Sequence, residues 1–214
     1  MKIENVAIGG LNESFVASGL AFEMDYSSEK FKRQVEDCLC SQGNHKKRAK
    51  SLSSCAIGEG HDNFLCGIGV QANITAPRYW WPEFQRYHFV EIISSTSTMH
   101  SLKKIVDAFL QTKELFGYEQ EKFSELADKY FSRKTSDEVI KLFLDECLKN
   151  NFTIEEMKAN LPEGFLQTAR ISTNYRQLKT IYRQRKNHPL EEWQKFCSWI
   201  RGLPSAYLIV GEDK

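Results

Sequence analysis

Residues 161–185, LPEGFLQTARISTNYRQLKTIYRQR, change character halfway along. Leu161-Pro162 and Gly164 form a stop signal, because proline lacks an amide proton and disfavours helix in the residue before it. QTARIST alternates at the period of a strand, and NYRQLKTIYRQRK switches to helical spacing. In that helix Leu178, Ile181 and Arg185 share one face, and Asn174 lies at its other end. An arginine on an apolar stripe is costly unless an anion meets it. Arg176 and Arg183 line a neighbouring stripe with Lys179 beside them, and no acidic residue falls between Asn174 and His188. Two readings stand: a solvated basic face, or an anion site, most simply for a phosphate held by guanidinium forks.

Outward from this stretch, residues 2–10 alternate as a strand, and residues 28–41 carry Phe31, Val35, Cys38 and Leu39 at helical spacing, with Ser28 as a cap. HKKRAKSLSSCAIG reads as a helix ending near Gly58, and FLCGIGVQANITAP as a helix end followed by a strand that Pro77 closes. RYWWPEFQRYH is expected to be helical despite Pro82. Its aromatic face suits either core packing or a stacking platform for a flat ring. Residues 99–111, 119–131 and 136–149 are amphipathic helices, TIEEMKANLPEG is a helix stopped by Pro162, and PLEEWQKFCSWIRGL is a last helix from Pro189. The sum is one helix-rich α+β domain over residues 1–214.

With 214 residues, 41% hydrophobic and 27% charged, the chain has the composition of an ordinary globular protein. A net charge of +1 gives no global field toward nucleic acid or membrane. No run of 18 apolar residues and no signal-peptide core is apparent, so a cytoplasmic location is expected. The six cysteines, Cys38, Cys40, Cys55, Cys66, Cys147 and Cys197, are scattered and lack the converging spacing of a metal site, so reduced thiols on helices and no metal are expected.

The quoted stretch resembles the C-terminal signature of the flavin-dependent thymidylate synthases: a Leu-Pro, a strand, Asn-x-Arg-x-Leu, and an arginine seven residues beyond the leucine. Leu161, Pro162, Asn174, Arg176, Leu178 and Arg185 fill those positions. A second block agrees in order and spacing. Gly60-His61 matches a Gly-His that opens a helix, Ala76-Pro77 an Ala-Pro that closes the next strand, and Arg86 the first residue of the motif RHRxxSxNExSxRY. The resemblance spans residues 1–205. It implies a mostly antiparallel central sheet with flanking helices, and a homotetramer with active sites at subunit contacts.

The same resemblance implies a reaction. A uracil ring such as that of dUMP is methylated, or otherwise modified by one carbon, using methylenetetrahydrofolate, FAD as the flavin and NADPH as a possible reductant. Charge developing on the pyrimidine must be met by fixed donors. Thr96 at the motif's second serine and Arg185 are the implied catalytic groups. Arg86, His88, Asn174 and Thr180 are the implied flavin contacts, and Arg176, Arg185, Lys158, Ser94 and Thr98 the implied substrate contacts. The pattern also departs: Ser94 replaces the motif's glutamate, Thr98 the arginine that grips the nucleotide phosphate, and Cys66-Gly67 a Glu-His pair of the flavin pocket. Cys66 reads as packing, and His88 and His100 as candidates to replace lost groups. Three classes follow: a divergent flavin-dependent enzyme, a non-catalytic nucleotide receptor on the same fold, and a nucleic-acid binder, which the near-zero net charge argues against.

Overall fold

The computed structural model describes residues 1–23, 27–37, 43–56, 58–117 and 120–211. The expected positions of Cys38, Leu39 and Cys40 lie outside the described residues. In chain order the elements begin with β1 (Lys2–Gly9), α1 (Leu11–Ala17), α2 (Ser28–Asp37), α3 (Gly43–Ser53) and β2 (Gly69–Pro77). Then come α4 (Trp81–Gln85), β3 (Glu91–Ser95), α5 (Thr98–Phe116), α6 (Gln120–Tyr130), α7 (Asp137–Lys149) and α8 (Ile154–Asn160). The chain ends with β4 (Leu166–Asn174), α9 (Tyr175–Arg185), α10 (Glu191–Arg201) and α11 (Tyr207–Val210).

The four strands make one antiparallel sheet in the order β1-β2-β4-β3, so the late strand β4 separates β2 from β3. In β2, Val70, Ala72, Ile74 and Ala76 are buried while Gly69, Gln71, Asn73 and Thr75 are half-buried. This is the two-residue period of a strand with one face packed. β3 shows no such alternation, since all its residues are exposed. That is why the sequence pattern of residues 85–100 gives no strand, although the structure forms one there.

Contacts divide the chain into two compact units, one of Met1–Lys2, Ile74–Arg86 and Ile92–Arg170, the other of Ile3–Asn73, Tyr87–Glu91 and Ile171–Lys214. The core of the first is built by helical stripes: Leu102, Val106 and Phe109 on α5, Phe123 and Ala127 on α6, and Ile140, Phe143, Leu144 and Cys147 on α7. Ser136 caps α7, and Thr153 with Glu156 forms a capping box at the start of α8. The helix expected over RYWWPEFQRYH is confined to α4, with Pro82 in its first turn where a missing amide proton costs nothing. Its aromatic residues are core, not a platform. Trp80 stacks on Phe84 at 4.6 Å between centroids, Trp81 meets Phe84 edge-on at 5.7 Å, and all three are buried.

In the second unit the core gathers Phe15, Leu65, Ile68, Tyr175, Leu178, Ile181, Trp193, Phe196 and Ile200, each fully buried. Ser27, not Ser28, caps α2, its hydroxyl accepting from the Lys30 amide at 3.2 Å. Gly60-His61 does not open an α-helix: it lies in a turn before a short 3₁₀ helix, Asn63–Gly67. Helix α1, which the sequence pattern did not announce, starts behind Gly10 at φ 75°, where a Cβ would sit 2.2 Å from the Gly67 carbonyl oxygen. Only glycine fits there. Cys147 and Cys197 are buried on helices, and burial pushes each thiol up to about 11. Cys66 is exposed, contrary to the expectation of packing. No helix among the described residues is long and apolar enough to cross a membrane.

Candidate functional site

In the second unit the chemistry-bearing side chains converge on α9. Asn174 leaves β4 in extended conformation and caps the helix, its Oδ1 accepting from the Gln177 amide at 3.0 Å. Gln177 Oε1 closes the box by accepting from the Asn174 amide at 3.2 Å and from the Thr173 hydroxyl at 2.8 Å. One helical turn later the basic stripe is resolved in a way its spacing does not reveal. Lys179 is buried, not solvated, and its ammonium donates to Asp62 Oδ2 at 2.6 Å and to the carbonyls of Ser53 at 2.7 Å and Cys55 at 3.1 Å. All three of its donors are thereby used.

The second oxygen of Asp62 accepts from Arg176 Nε at 3.1 Å, so the acid missing from α9 arrives from 114 residues upstream. Burial drives the Asp62 carboxyl upward, but the Lys179 ammonium and the Arg176 guanidinium together outweigh it and hold the group below its ordinary 3.8. Asp62 is itself fully buried, while the Arg176 side chain is 33% exposed. Thr180, one turn on, donates its hydroxyl back to the Arg176 carbonyl at 3.3 Å.

At the end of α9, Arg185 is embraced by aromatic groups. Its Nε donates to the Tyr87 hydroxyl at 2.7 Å, and its guanidinium carbon lies 4.5 Å from the Trp193 ring centroid and 5.5 Å from that of Tyr87. The Tyr87 hydroxyl in turn donates to Gln184 Oε1 at 3.1 Å. A guanidinium stacked on aromatic faces keeps its charge with weaker hydration, which suits both half-burial and anion recognition. Arg86 and His88, on either side of Tyr87 in sequence, are exposed.

The first unit holds a different kind of site. Thr96 continues the β3–β4 pairing: its amide donates to the Thr168 carbonyl at 2.8 Å, and its Oγ1 accepts from the Thr168 amide at 3.2 Å. That leaves the Thr96 hydroxyl proton to donate elsewhere. It faces a cavity of about 570 Å³ that Ser97, His100, Ser101, Lys104 and Lys129 also line. Ser94, Thr98 and Lys158 belong to the same unit but do not line this cavity. Ser94 and Lys158 are exposed and Thr98 is half-buried in the first turn of α5. Lys104 and Lys129 were not singled out by sequence. The available signal was the helical spacing of Ser97, Ser101 and Lys104, beside the buried stripe of Leu102, Val106 and Phe109.

A groove of about 430 Å³ in the second unit is lined by Ala7–Gly9, Gly67, Gly69–Gln71 and Ser172. A Cβ added at Gly9 or Gly69 would meet nothing within 4 Å, so bare peptide planes face the groove. At Gly67 a Cβ would instead sit 2.5 Å from Ser14 Oγ. A side chain at 67 therefore requires the Ser14 hydroxyl of α1 to move.

The sequence matches the thymidylate synthase complementing protein family over residues 12–203. In fold, the chain is similar to the flavin-dependent thymidylate synthase ThyX of Helicobacter pylori complexed with FAD and dUMP, with a TM-score of 0.72 and 16% identity over 98% of each chain. A second crystal structure of that enzyme with FAD and dUMP gives the same values. A comparison with curated proteins finds no match.

Proposed function

Since the chain belongs to the thymidylate synthase complementing protein family, we propose that it is a divergent flavin-dependent enzyme that methylates, or otherwise modifies by one carbon, dUMP or a related pyrimidine nucleotide. Methylenetetrahydrofolate is the carbon donor and NADPH the reductant in this reading. The observation that carries it is α9, where Arg176 and Arg185 sit at the family's spacing and are both pre-set by the chain's own groups, Asp62 and Tyr87. Donors fixed before the ligand arrives meet developing charge without reorganising.

FAD fits the residues present. The groove of bare peptide at Gly9 and Gly69 is open enough for a flat ring to lie against, and Ser172 on its wall is two residues before Asn174. Asn174 spends its side-chain oxygen on the cap and keeps its amide donors. Asn174, Thr180, Arg86 and His88 would hold the cofactor, which supplies hydride when bound and reduced. Arg176 and Arg185 would hold the anionic parts of the nucleotide, with Lys158, Ser94 and Thr98 as further contacts, and Thr96 would donate its hydroxyl to the pyrimidine. The protein acts in the cytoplasm as a single domain over residues 1–214 and as a homotetramer. The exposed Ile92 and Ile93 of edge strand β3 support the assembly, because such edges are normally covered.

A second reading is favoured by Thr98 and Gly67. With neutral or absent side chains where the family pattern has charged or basic ones, the chain would be a nucleotide receptor without turnover. The deciding experiment is a titration with FAD, with and without dUMP, following flavin absorbance and fluorescence, repeated on Arg185→Ala. Saturable flavin binding that dUMP perturbs, with the perturbation lost in Arg185→Ala, is the expected outcome. No flavin binding, with dUMP still raising the melting temperature, would leave the receptor reading. Unchanged dUMP binding by Arg185→Ala would remove the role given to that residue.

A further inference from the structure

Two stretches of the second unit carry cations without acids. Residues 38 to 58 hold Lys46, Lys47, Arg48 and Lys50, residues 174 to 188 hold Arg176, Lys179, Arg183, Arg185 and Lys186, and neither stretch contains an aspartate or glutamate. Four of these cations are committed inside the fold. Arg176 and Lys179 meet Asp62, Arg185 meets Tyr87, and Arg48 donates to the Phe15 carbonyl at 3.3 Å and to the Ser18 hydroxyl at 3.1 Å. The others are exposed. Of these, Lys46 and Lys50 of α3 and Arg183 of α9 converge on α11, which packs against both helices. Lys50 and Arg183 line a cavity of about 170 Å³ with Tyr207, Ile209 and Val210, and Lys46 holds its ammonium 5.6 Å from the centroid of the same tyrosine ring. None of the described residues lining the cavity is acidic, and the Arg183 side chain makes no ion pair among the described residues.

A cation in the last turn of a helix is ordinary, because it offsets the negative end of the dipole, and Lys50 and Arg183 both stand in last turns. That accounts for one charge at each helix end. It does not account for both facing one cavity with a third cation beside it, since like charges at close range repel and neither helix supplies an acid. The lining hydroxyls narrow the ligand. Ser53 donates to the Lys50 carbonyl at 2.9 Å and Ser54 to the Ser51 carbonyl at 2.7 Å, so neither proton is left for an anion. Recognition therefore falls to charge, and two ammonium groups with a guanidinium favour the most highly charged anion that fits. The space is too small for the body of a nucleotide, whose sites run to about 300 Å³ and more. A carboxylate brings one charge to three cations, whereas a chain of phosphates matches or exceeds theirs.

We infer that this cavity of α3, α9 and α11 binds the polyphosphate group of a ligand other than the substrate, either a free di- or triphosphate or the tail of a nucleoside triphosphate whose base stays outside. The site shares α9 with Arg176 and Arg185 but uses none of the residues given to nucleotide or flavin. Its ligand is independent of the nucleotide reading above. Binding here also has a mechanical consequence. The end of α3 is already tied to α9 from within, because the Lys179 ammonium donates to the Ser53 and Cys55 carbonyls. A polyphosphate bridging Lys50 and Arg183 closes the same joint from outside, so it stabilises the fold as it binds.

The test is calorimetry on the full chain with phosphate, pyrophosphate, tripolyphosphate and UTP, each with and without dUMP and at several salt concentrations. The variants are Lys50→Met with Arg183→Met, the charge-keeping Lys50→Arg with Arg183→Lys, and Lys47→Met, which is exposed on α3 and lines no part of the cavity. Affinity is expected to rise from phosphate to tripolyphosphate, to fall with added salt, and to be indifferent to dUMP and to Arg185→Ala. The Met pair should lose roughly 10- to 100-fold for tripolyphosphate, the range for two partly screened charge-assisted bonds, and with it the rise in melting temperature that tripolyphosphate gives the parent. The charge-keeping pair stays within about threefold of the parent, and Lys47→Met changes nothing. UTP binding equal to that of tripolyphosphate marks the phosphate chain alone as the ligand, and tighter UTP binding marks a nucleotide as its source. Tripolyphosphate binding that dUMP displaces, or that the Met pair retains in full, overturns the inference and leaves the proposed function as it stands. A single-stranded oligonucleotide that binds through Lys50 and Arg183 more tightly than tripolyphosphate overturns it in favour of a nucleic-acid contact. Absence of tripolyphosphate and UTP binding in the parent overturns it outright.

Discussion

Helix α9 and the stretch from Arg86 to His100 hold the two motif blocks, and the structure treats them in opposite ways. On α9 every residue of the signature also has a structural duty: Asn174 caps the helix, Arg176 meets buried Asp62, Leu178 is core, and Arg185 is clasped by Tyr87 and Trp193. From Glu91 to Ser97 the side chains are exposed, and β3 packs none of its residues. A change on α9 would disturb the fold, whereas Ser94 is exposed and Thr98 only half-buried. On α9 the positions that keep the family pattern are those the core needs, whereas the departures at 94 and 98 fall on these two residues. Agreement on α9 therefore testifies to the fold first, and the chemistry has to be tested where the structure leaves residues at liberty.

The largest expected effect tests the claim that α9 is structurally committed. Asp62→Ala would leave the Lys179 ammonium buried and uncompensated, at a cost of about 3–5 kcal/mol in urea denaturation. Asp62→Leu with Lys179→Met should recover much of that loss, since removing both charges also removes their desolvation cost. The pH dependence has a definite sign. Lys179 and Arg176 hold the folded carboxyl of Asp62 below its ordinary 3.8, so its stabilising contribution is fully present above that value. It is lost as pH falls through the folded-state value, and the Asp62→Ala variant should lack that acid limb. A cost under about 1 kcal/mol, the scale of an exposed pair, would show that the pairing on α9 is incidental.

How much of this was legible follows from what each feature depends on. The helices α5 to α9 and strands β2 and β4 repeat apolar residues at their own period, so local pattern suffices. β3 has no buried face and α1 depends on a glycine pair meeting across the fold, so neither leaves a periodic trace. The site divides in the same way. Arg176 and Arg185 could be found because an arginine beside an apolar stripe is anomalous in itself. Asp62 could not, because its meaning comes only from the Lys179 and Arg176 side chains that close over it. Lys104 and Lys129 escaped notice because an exposed lysine on a helix is the commonest of patterns, and only the cavity they share sets them apart.

A smaller effect tests whether every departure from the family pattern lies at a place free to vary. Gly67 departs too, but it is in contact with α1, and its substitution is constrained by Ser14, which is buried. Gly67→His restores the family side chain and should destabilise the protein by about 2 kcal/mol through overpacking. Ser14→Gly in the same chain should return most of that loss by vacating the space. If Gly67→His is neutral on its own, the departure at 67 belongs with the unconstrained ones at 94 and 98. Flavin affinity measured on both variants would then show whether the histidine was worth restoring.

The smallest effect falls on the residue that belongs to both regions. Tyr87 occupies the second position of the divergent motif, yet it is buried and its hydroxyl links Gln184 to Arg185. Tyr87→Phe keeps the ring face beside the guanidinium and removes only the hydroxyl, so the expected loss of stability is about 1 kcal/mol. The informative readout is the nucleotide. If Arg185 is pre-set for the ligand by that hydroxyl, loosening it should raise the KM for dUMP several-fold more than it lowers kcat, since the guanidinium can still swing into place once the nucleotide is bound. A loss of stability with no change in nucleotide affinity would mean that Tyr87 and Arg185 hold only each other, and of the two α9 arginines only Arg176 would keep its role.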